Sequence, residues 1–255
     1  RSHKMASIRE LIVQFSGEQE AAYKAYRQVE LMVAKANAPG SEAERTQLAA
    51  ELAEQLWALS EAKKDDKGND LPRTPTHPVA TRIKILRLLQ GMAGDKEVPA
   101  IAKALDELEL REDARCTLDR ISSHESDKAL VNALDAAVGA EFRVGIVSSL
   151  AARPNAYVMA ALQKATADCD PEVALAAVEA LANFPEPAND EFIANAARCS
   201  CPVARRRALS ARVRFAENLA RSGAKQAAKK VYAAIAAGDA DAPQKKAAEM
   251  ALTAL

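Results

Sequence analysis

One nine-residue frame recurs through most of this chain and leaves it few folds to choose from. Written Φ-R-x-x-A-x-x-A-L, where Φ is apolar in the ideal copy, it begins at Thr81, Leu110, Phe142, Val173 and Ala204, at intervals of 29, 32, 31 and 31 residues, and again at Gln244 after a gap of 40. The clearest copy runs Val173-Ala174-x-x-Ala177-x-x-Ala180-Leu181 and is opened by Asp170-Pro171. Steps of three and four put the Φ, A and L positions on one side of a helix, with the R position beside them. Between the copies lie further amphipathic segments, at 98–108, 127–138, 157–167, 190–199 and 225–237. Each period is therefore two helices, and such a pair buries its apolar face only by stacking on its neighbours. The predicted fold is all-α, a right-handed α-solenoid (α/α superhelix) of helical hairpins.

Composition agrees where it bears on this. Aromatic residues are 4% of the chain and glycines number 9, while Ala and Leu dominate an apolar fraction of 49%, which suits closely packed helices and starves a sheet. Thirty-five basic and 35 acidic residues cancel, which disfavours a dedicated nucleic-acid binder, because phosphate affinity comes from a surplus of Lys and Arg. No apolar run approaches the roughly 20 residues a membrane span needs, so no membrane partner is expected. Four cysteines are too few for a disulfide-built scaffold.

Residues 1–7, Arg-Ser-His-Lys-Met-Ala-Ser, look like a vector-derived scar. A signal peptide could have stood upstream of it, so the compartment stays open between cytoplasmic and exported. Residues 8–64 read as an amino-terminal hairpin cap. One helix runs from Ile8 to Ala36, Pro39-Gly40 breaks it, and a second starts at a Ser41-x-x-Glu44 capping box and carries Leu48, Leu52, Leu56 and Leu59 out to about Ala62. Trp57, on that stripe, is expected in the core. The run Lys63–Pro78, with its charges and Pro72, Pro75 and Pro78, reads as an exposed, mobile linker over 65–78. Residues 79–255 then hold about six repeats.

At Asp170-Pro171…Val173…Ala177…Ala180-Leu181, and again at Leu110-Arg-Glu-Asp-Ala-Arg115, the chain resembles HEAT repeats of the short bacterial type, also seen in the phycobilisome-lyase-like branch. The run from Val98 through Leu110–Ile121 to Phe142–Leu150 is similar to HEAT modules of large multidomain bacterial proteins. The resemblance covers roughly Ile8 to Leu255 and is strongest from Pro78 to Leu181. It implies a binding scaffold and is nearly silent on chemistry. The last unit, Ala216-x-x-Leu219…Gly223…Ala227…Tyr232…Pro243, looks closer to a tetratricopeptide unit.

The candidate sites follow from the frame and from charge. Arg82, Arg111, Arg143, Arg205 and Lys245 share the R position and are expected to pair with acids in neighbouring turns. From Ala165 to Ala197 there are seven acids and no Lys or Arg, whereas Arg198 to Leu255 holds 12 Lys and Arg against 4 acids. Arg205, Arg206, Arg207, Arg212 and Arg214 fall on one helix, as a solvated face or a docking patch for an acidic partner. Cys169, Cys199 and Cys201 fall at equivalent loops but lack a nearby His, so they read as free thiols rather than a metal site. His3, His77 and His124 do not converge with a nucleophile or acid, so no catalytic residue, metal or cofactor is assigned.

The leading expectation is a non-enzymatic module that holds a protein partner, or neighbouring domains of a larger chain, on the concave face of the second helices. Its contact residues would be Glu112, Asp113 and Arg115, then Arg206, Arg207 and Ser210, flanked by Arg205, Arg212 and Arg214. Two alternatives stand behind it: an enzyme resembling the HEAT-like alkylpurine DNA glycosylases, and a chromophore-lyase-like protein.

Overall fold

A computed structural model describes residues 6–238 and 240–255; residues 1–5 and Asp239 lie outside the described set. Fourteen α-helices and no β-strand occur among the described residues. They are α1 (Ile8–Val13), α2 (Gln19–Ala36), α3 (Glu42–Leu56), α4 (Val79–Leu89), α5 (Val98–Lys103), α6 (Arg111–Asp119), α7 (His124–Ala136), α8 (Ala140–Leu150), α9 (Ala156–Ala165), α10 (Pro171–Leu181), α11 (Asn189–Ala196), α12 (Pro202–Arg221), α13 (Lys225–Ala237) and α14 (Ala242–Ala254). The chain divides into two compact units, Arg1–Ala129 and Leu130–Leu255.

The frame predicts burial residue by residue. Ile85, Leu89, Leu110, Ala114, Thr117, Leu118, Ile146, Leu150, Val173, Ala177 and Leu181 are all 0% exposed, and Thr81, Leu88, Phe142, Ser149 and Ala180 stay at 5% or below. Positions three and four apart meet on the same side of a helix, and that side is here fully covered. The pattern loosens near the carboxyl end. Ala208 and Ala211 are buried, but the position of the final Leu is taken by half-buried Arg212, and in α14 only Ala248 is buried.

In the amino-terminal unit, α1 packs on α2 and α3, α3 packs on α4 and α5, and both α4 and α5 pack on α6. Ser7 opens α1 with a capping box: its hydroxyl accepts from the Glu10 N–H at 3.3 Å, and the Glu10 carboxylate accepts from the Ser7 N–H at 2.7 Å. The tip of the α2–α3 hairpin is tied to the turn after α4, where the Asn37 amide donates to the Gly91 carbonyl (3.0 Å) and the Arg45 Nε to the Met92 carbonyl (3.1 Å).

Three expectations are corrected here. The single helix over Ile8–Ala36 is broken: a 3₁₀ turn at Gln14–Ser16 ends at the extended residue Gly17, and this turns Phe15 inward against Tyr26, ring centroids 5.4 Å apart. The Ser41 box does not form; the Ser41 side chain makes no capping bond, and the Glu42 carboxylate accepts instead from the Gly40 N–H at 3.3 Å. The second helix stops at Leu56 rather than Ala62, leaving Leu59 51% exposed and Trp57 only half-buried. Its end is claimed by another group, for the Arg82 Nε donates to the Leu56 carbonyl at 3.1 Å.

The charged, proline-rich run folds back on itself instead of trailing free. Bridges pair Leu59 with Pro75 and Lys64 with Asp70, and hydrogen bonds run Ser60 N–H to Thr74 O (2.8 Å), Thr76 N–H to Ala58 O (2.7 Å) and Leu71 N–H to Lys63 O (2.8 Å). Gly68 turns the tip with φ +83°, in the left-handed region that a side chain disfavours. Asp65 accepts there from the Lys67 and Asn69 N–H groups, both at 2.8 Å.

In the carboxyl-terminal unit the second helices stand side by side: α8 packs on α10, α10 on α12 and α12 on α14, with α9, α11 and α13 in the other row. Asp170 caps α10 as the sequence indicates, accepting from the N–H of Glu172 (2.9 Å) and of Val173 (3.3 Å). Asn side chains stitch successive units. The Asn183 amide donates to the Ala151 carbonyl (3.2 Å), and the Asn218 amide to the Ala182 carbonyl (2.8 Å).

Candidate functional site

In two copies of the repeat the R position is a built ion-pair seat. Arg82, 3% exposed, places its Nη atoms 2.7 and 3.0 Å from the Glu107 carboxylate, and its guanidinium carbon lies 4.4 Å from the centroid of the Trp57 ring. Arg143 repeats the arrangement: its Nε donates to the Leu134 carbonyl at 3.1 Å and its Nη atoms to both Asp168 oxygens. In each case the carboxylate stands just ahead of the next second helix. The Arg143 guanidinium holds the Asp168 carboxyl below the usual carboxylate range, helped by the Asp170 N–H. Arg111 is engaged as well.

Trp57 belongs to this machinery more than to a dry core. Its indole N–H donates to the Ala100 carbonyl at 2.7 Å, and the Lys103 ammonium lies 4.1 Å from its ring centroid, so two cations meet one ring. His77 lies in the bend just before α4 and is buried there. It is 4% exposed, with Nε2 2.9 Å from the Gln55 amide oxygen, and burial, reinforced by the positive charge of Arg9, pushes its pKa down.

The predicted contact residues fall into two groups, one in each unit. On α6, Glu112 pairs with Arg115 at 3.0 Å, and Asp113 receives the Arg87 Nε of α4 at 2.8 Å. On α12, Arg207 bridges two carboxylates of α10. It meets Glu179 twice at 2.8 Å and Glu172 at 3.1 Å, and these contacts, Glu179 first, raise its already high pKa. Arg206 pairs with Asp241 at 3.0 Å, Arg214 donates to the Glu179 carbonyl at 2.6 Å, and Ser210 accepts from the Gln244 amide at 3.2 Å. Arg212 grips Asp190 of α11 bidentately at 2.7 and 2.8 Å. The acidic stretch before Arg198 and the basic one after it thus neutralise each other across helices.

Arg205 stands apart from this network. Among the described residues no acid pairs with it, and it lines a pocket of about 480 Å³ between α11, α12 and α13 together with Arg198, Leu209 and Ile235. Sequence reasoning put Arg205 at the R position and expected it to pair with an acid, which no described residue supplies, and it missed Arg198, because the pocket depends on how three helices meet. A second, more apolar groove of about 270 Å³ lies in the cap, lined by Ile8, Met32, Ala36 and Leu48. The four cysteines are free. No helix among the described residues is long and apolar enough to cross a membrane.

No family model and no curated protein matches the sequence. Solved structures do resemble it. A HEAT-like repeats protein from the archaeon Thermococcus onnurineus NA1 superposes with a TM-score of 0.52 at 11% identity, over 98% of this chain and 97% of that one. The Pds5–Scc1 complex gives 0.51 at 14% identity, over 90% of this chain and 41% of that one. The CpcE–CpcF complex of phycocyanin lyase from Nostoc sp. PCC7120 aligns over 99% of this chain and 89% of that one at 19% identity, with a TM-score of 0.43. The first two likenesses show the fold, a helical-repeat solenoid of the HEAT type.

Proposed function

We propose that this HEAT-like repeat chain is a non-catalytic interaction module which binds a protein partner on the face of its second helices. The observation that carries the reading is the row α8, α10, α12 and α14, whose outward polar positions are locked by pairs running from helix to helix: Arg207 to Glu172 and Glu179, Arg206 to Asp241, Ser210 to Gln244. A face fixed in this way loses little side-chain freedom when a partner arrives, and its alternating charges favour a protein surface over a uniformly charged polymer. The paired state of Arg206, Arg207, Arg212 and Arg214 argues against the DNA-glycosylase alternative, since each already meets an acceptor within the chain. Solved complexes of similar fold also include a protein–protein assembly, Pds5–Scc1.

The test is site-specific photo-crosslinking in extracts of the native host. A crosslinker at Ser210, exposed on α12, is expected to trap a discrete protein, whereas one at Glu191, exposed on α11 in the other row, is not. Trapping at 191 and not at 210 would assign binding to the wrong face and sink the reading.

A further inference from the structure

The pocket between α11, α12 and α13 brings together two cations that have no acidic partner among the described residues. Arg198 and Arg205 both line it. Arg198 reaches only the Asn195 amide oxygen, at a marginal 3.4 Å, and Arg205 has no acidic partner among the described residues. The third arginine of the lining, Arg212, is already neutralised by its two bonds to Asp190. Two unpaired guanidinium groups on one concavity repel each other, and an anion between them removes that repulsion.

We propose that this pocket receives the carboxylate of a glutamate from an acidic segment of a protein partner. The proposal rests on the interaction-module reading and names the partner's chemistry. Three features select that ligand. The R position elsewhere in the repeat is a carboxylate seat, as Arg82 with Glu107 and Arg143 with Asp168 show. Ala197 and Ala234 also line the pocket, backed by the buried Leu209 and Ile235, so the methylene stem of a glutamate meets a small apolar strip that a bare oxyanion does not use. A volume of about 480 Å³ is ample for one side chain with its flanking backbone.

Position 239 decides how the test is built. An aspartate stands there, three residues ahead of α14 as Asp168 stands three ahead of α10, and it lies outside the described residues. The full chain is therefore titrated, by fluorescence anisotropy at low salt, with a labelled peptide of alternating Glu and Gly, with its Lys–Gly counterpart, and with inorganic phosphate as competitor. Wild type is expected to bind the Glu peptide and not the Lys peptide. Arg198→Gln combined with Arg205→Gln is expected to weaken binding about tenfold or more, the size of losing charge-assisted hydrogen bonds. Arg221→Gln, the same charge change on an exposed side chain at the far end of α12 that does not line the pocket, is expected to stay within about twofold. A thermal melt of each variant by circular dichroism separates lost binding from lost folding, and Lys at both positions is expected to restore part of the affinity.

The proposal is overturned by absence of binding in wild type, by equal losses in R221Q and in the double variant, or by displacement of the peptide by phosphate at concentrations where free glutamate is inert, which would make the pocket a site for a small oxyanion. Binding that emerges only in Asp239→Asn overturns it too, because the chain's own carboxylate would then be the occupant. Retained crosslinking at Ser210 alongside any of these results leaves the interaction-module reading standing, so the two fail separately.

Discussion

Arg82 carries the sharpest prediction, because one buried cation closes three separate accounts in the amino-terminal unit. Its Nε satisfies the last carbonyl of α3, its Nη atoms hold Glu107 ahead of α6, and its plane covers Trp57. Replacement by Met keeps the apolar stem and removes all three. Breaking a buried pair costs about 3–5 kcal/mol when the partner is left dry. Glu107, however, is 40% exposed and can take water back, which brings the pair's share nearer to about 1–2 kcal/mol. The orphaned Leu56 carbonyl adds about 1 kcal/mol and the lost cation–π contact about 0.5–1 kcal/mol. The expected total is about 3 kcal/mol, or a fall in Tm of about 6–12 °C for a chain of this size. Urea unfolding followed at the single Trp and by circular dichroism measures it. A double-mutant cycle with Glu107→Gln isolates the pair and should return a coupling of about 1–2 kcal/mol. A loss below about 1 kcal/mol in Arg82→Met, or a coupling near zero, would refute the claim that the R position is a structural seat.

Two further predictions follow from the same geometry. Asp170→Ala removes the cap of α10 and should cost about 1 kcal/mol in urea unfolding, with Asp170→Ser restoring most of it. His77 is held neutral in the fold, so the unfolded chain takes up a proton first as pH falls below the ordinary value of 6.5; stability is then full above 6.5 and declines below it until the folded ring titrates in its turn. His77→Gln should flatten that limb in pH-dependent melts, and an unchanged slope would rule the histidine out as its source.

The fold was legible wherever local periodicity and burial coincide. The frame at Val173, Ala177, Ala180 and Leu181 names residues that are in fact buried, and Asp170-Pro171 marks a real cap. Legibility failed where a distant group decides a local matter. Nothing near Leu56 announces that a guanidinium 26 residues on will satisfy the last carbonyl of its helix, and the leucine stripe continues past the stop. Ser41 has the spacing of a capping box but not the bond, because its N–H is already donated to the Ala38 carbonyl and its backbone is not extended. For the site, helix identity was readable and pairing was not: Arg205, Arg206, Arg207, Arg212 and Arg214 look alike in sequence, and only the placement of Glu172, Glu179, Asp190 and Asp241 on neighbouring helices separates the one open cation from four satisfied acceptor-bound ones. A usable signal did exist. The acids Glu107 and Asp168 both stand 25 residues after their arginines, an interval the repeat itself suggests.

The asparagine stitches give the array an arrow. Each of Asn183 and Asn218 reaches backward to close a carbonyl at the end of an earlier second helix, at Ala151 and Ala182. Shortening the carboxyl-terminal unit from its far end therefore strips the donor and leaves a main-chain acceptor open in what remains. Shortening it from its near end strips only the acceptor, and the amide left behind can turn to water. Assembly in this unit is accordingly finished by whatever comes later in the chain, as in a row of tiles where each one seals the edge of the tile before it.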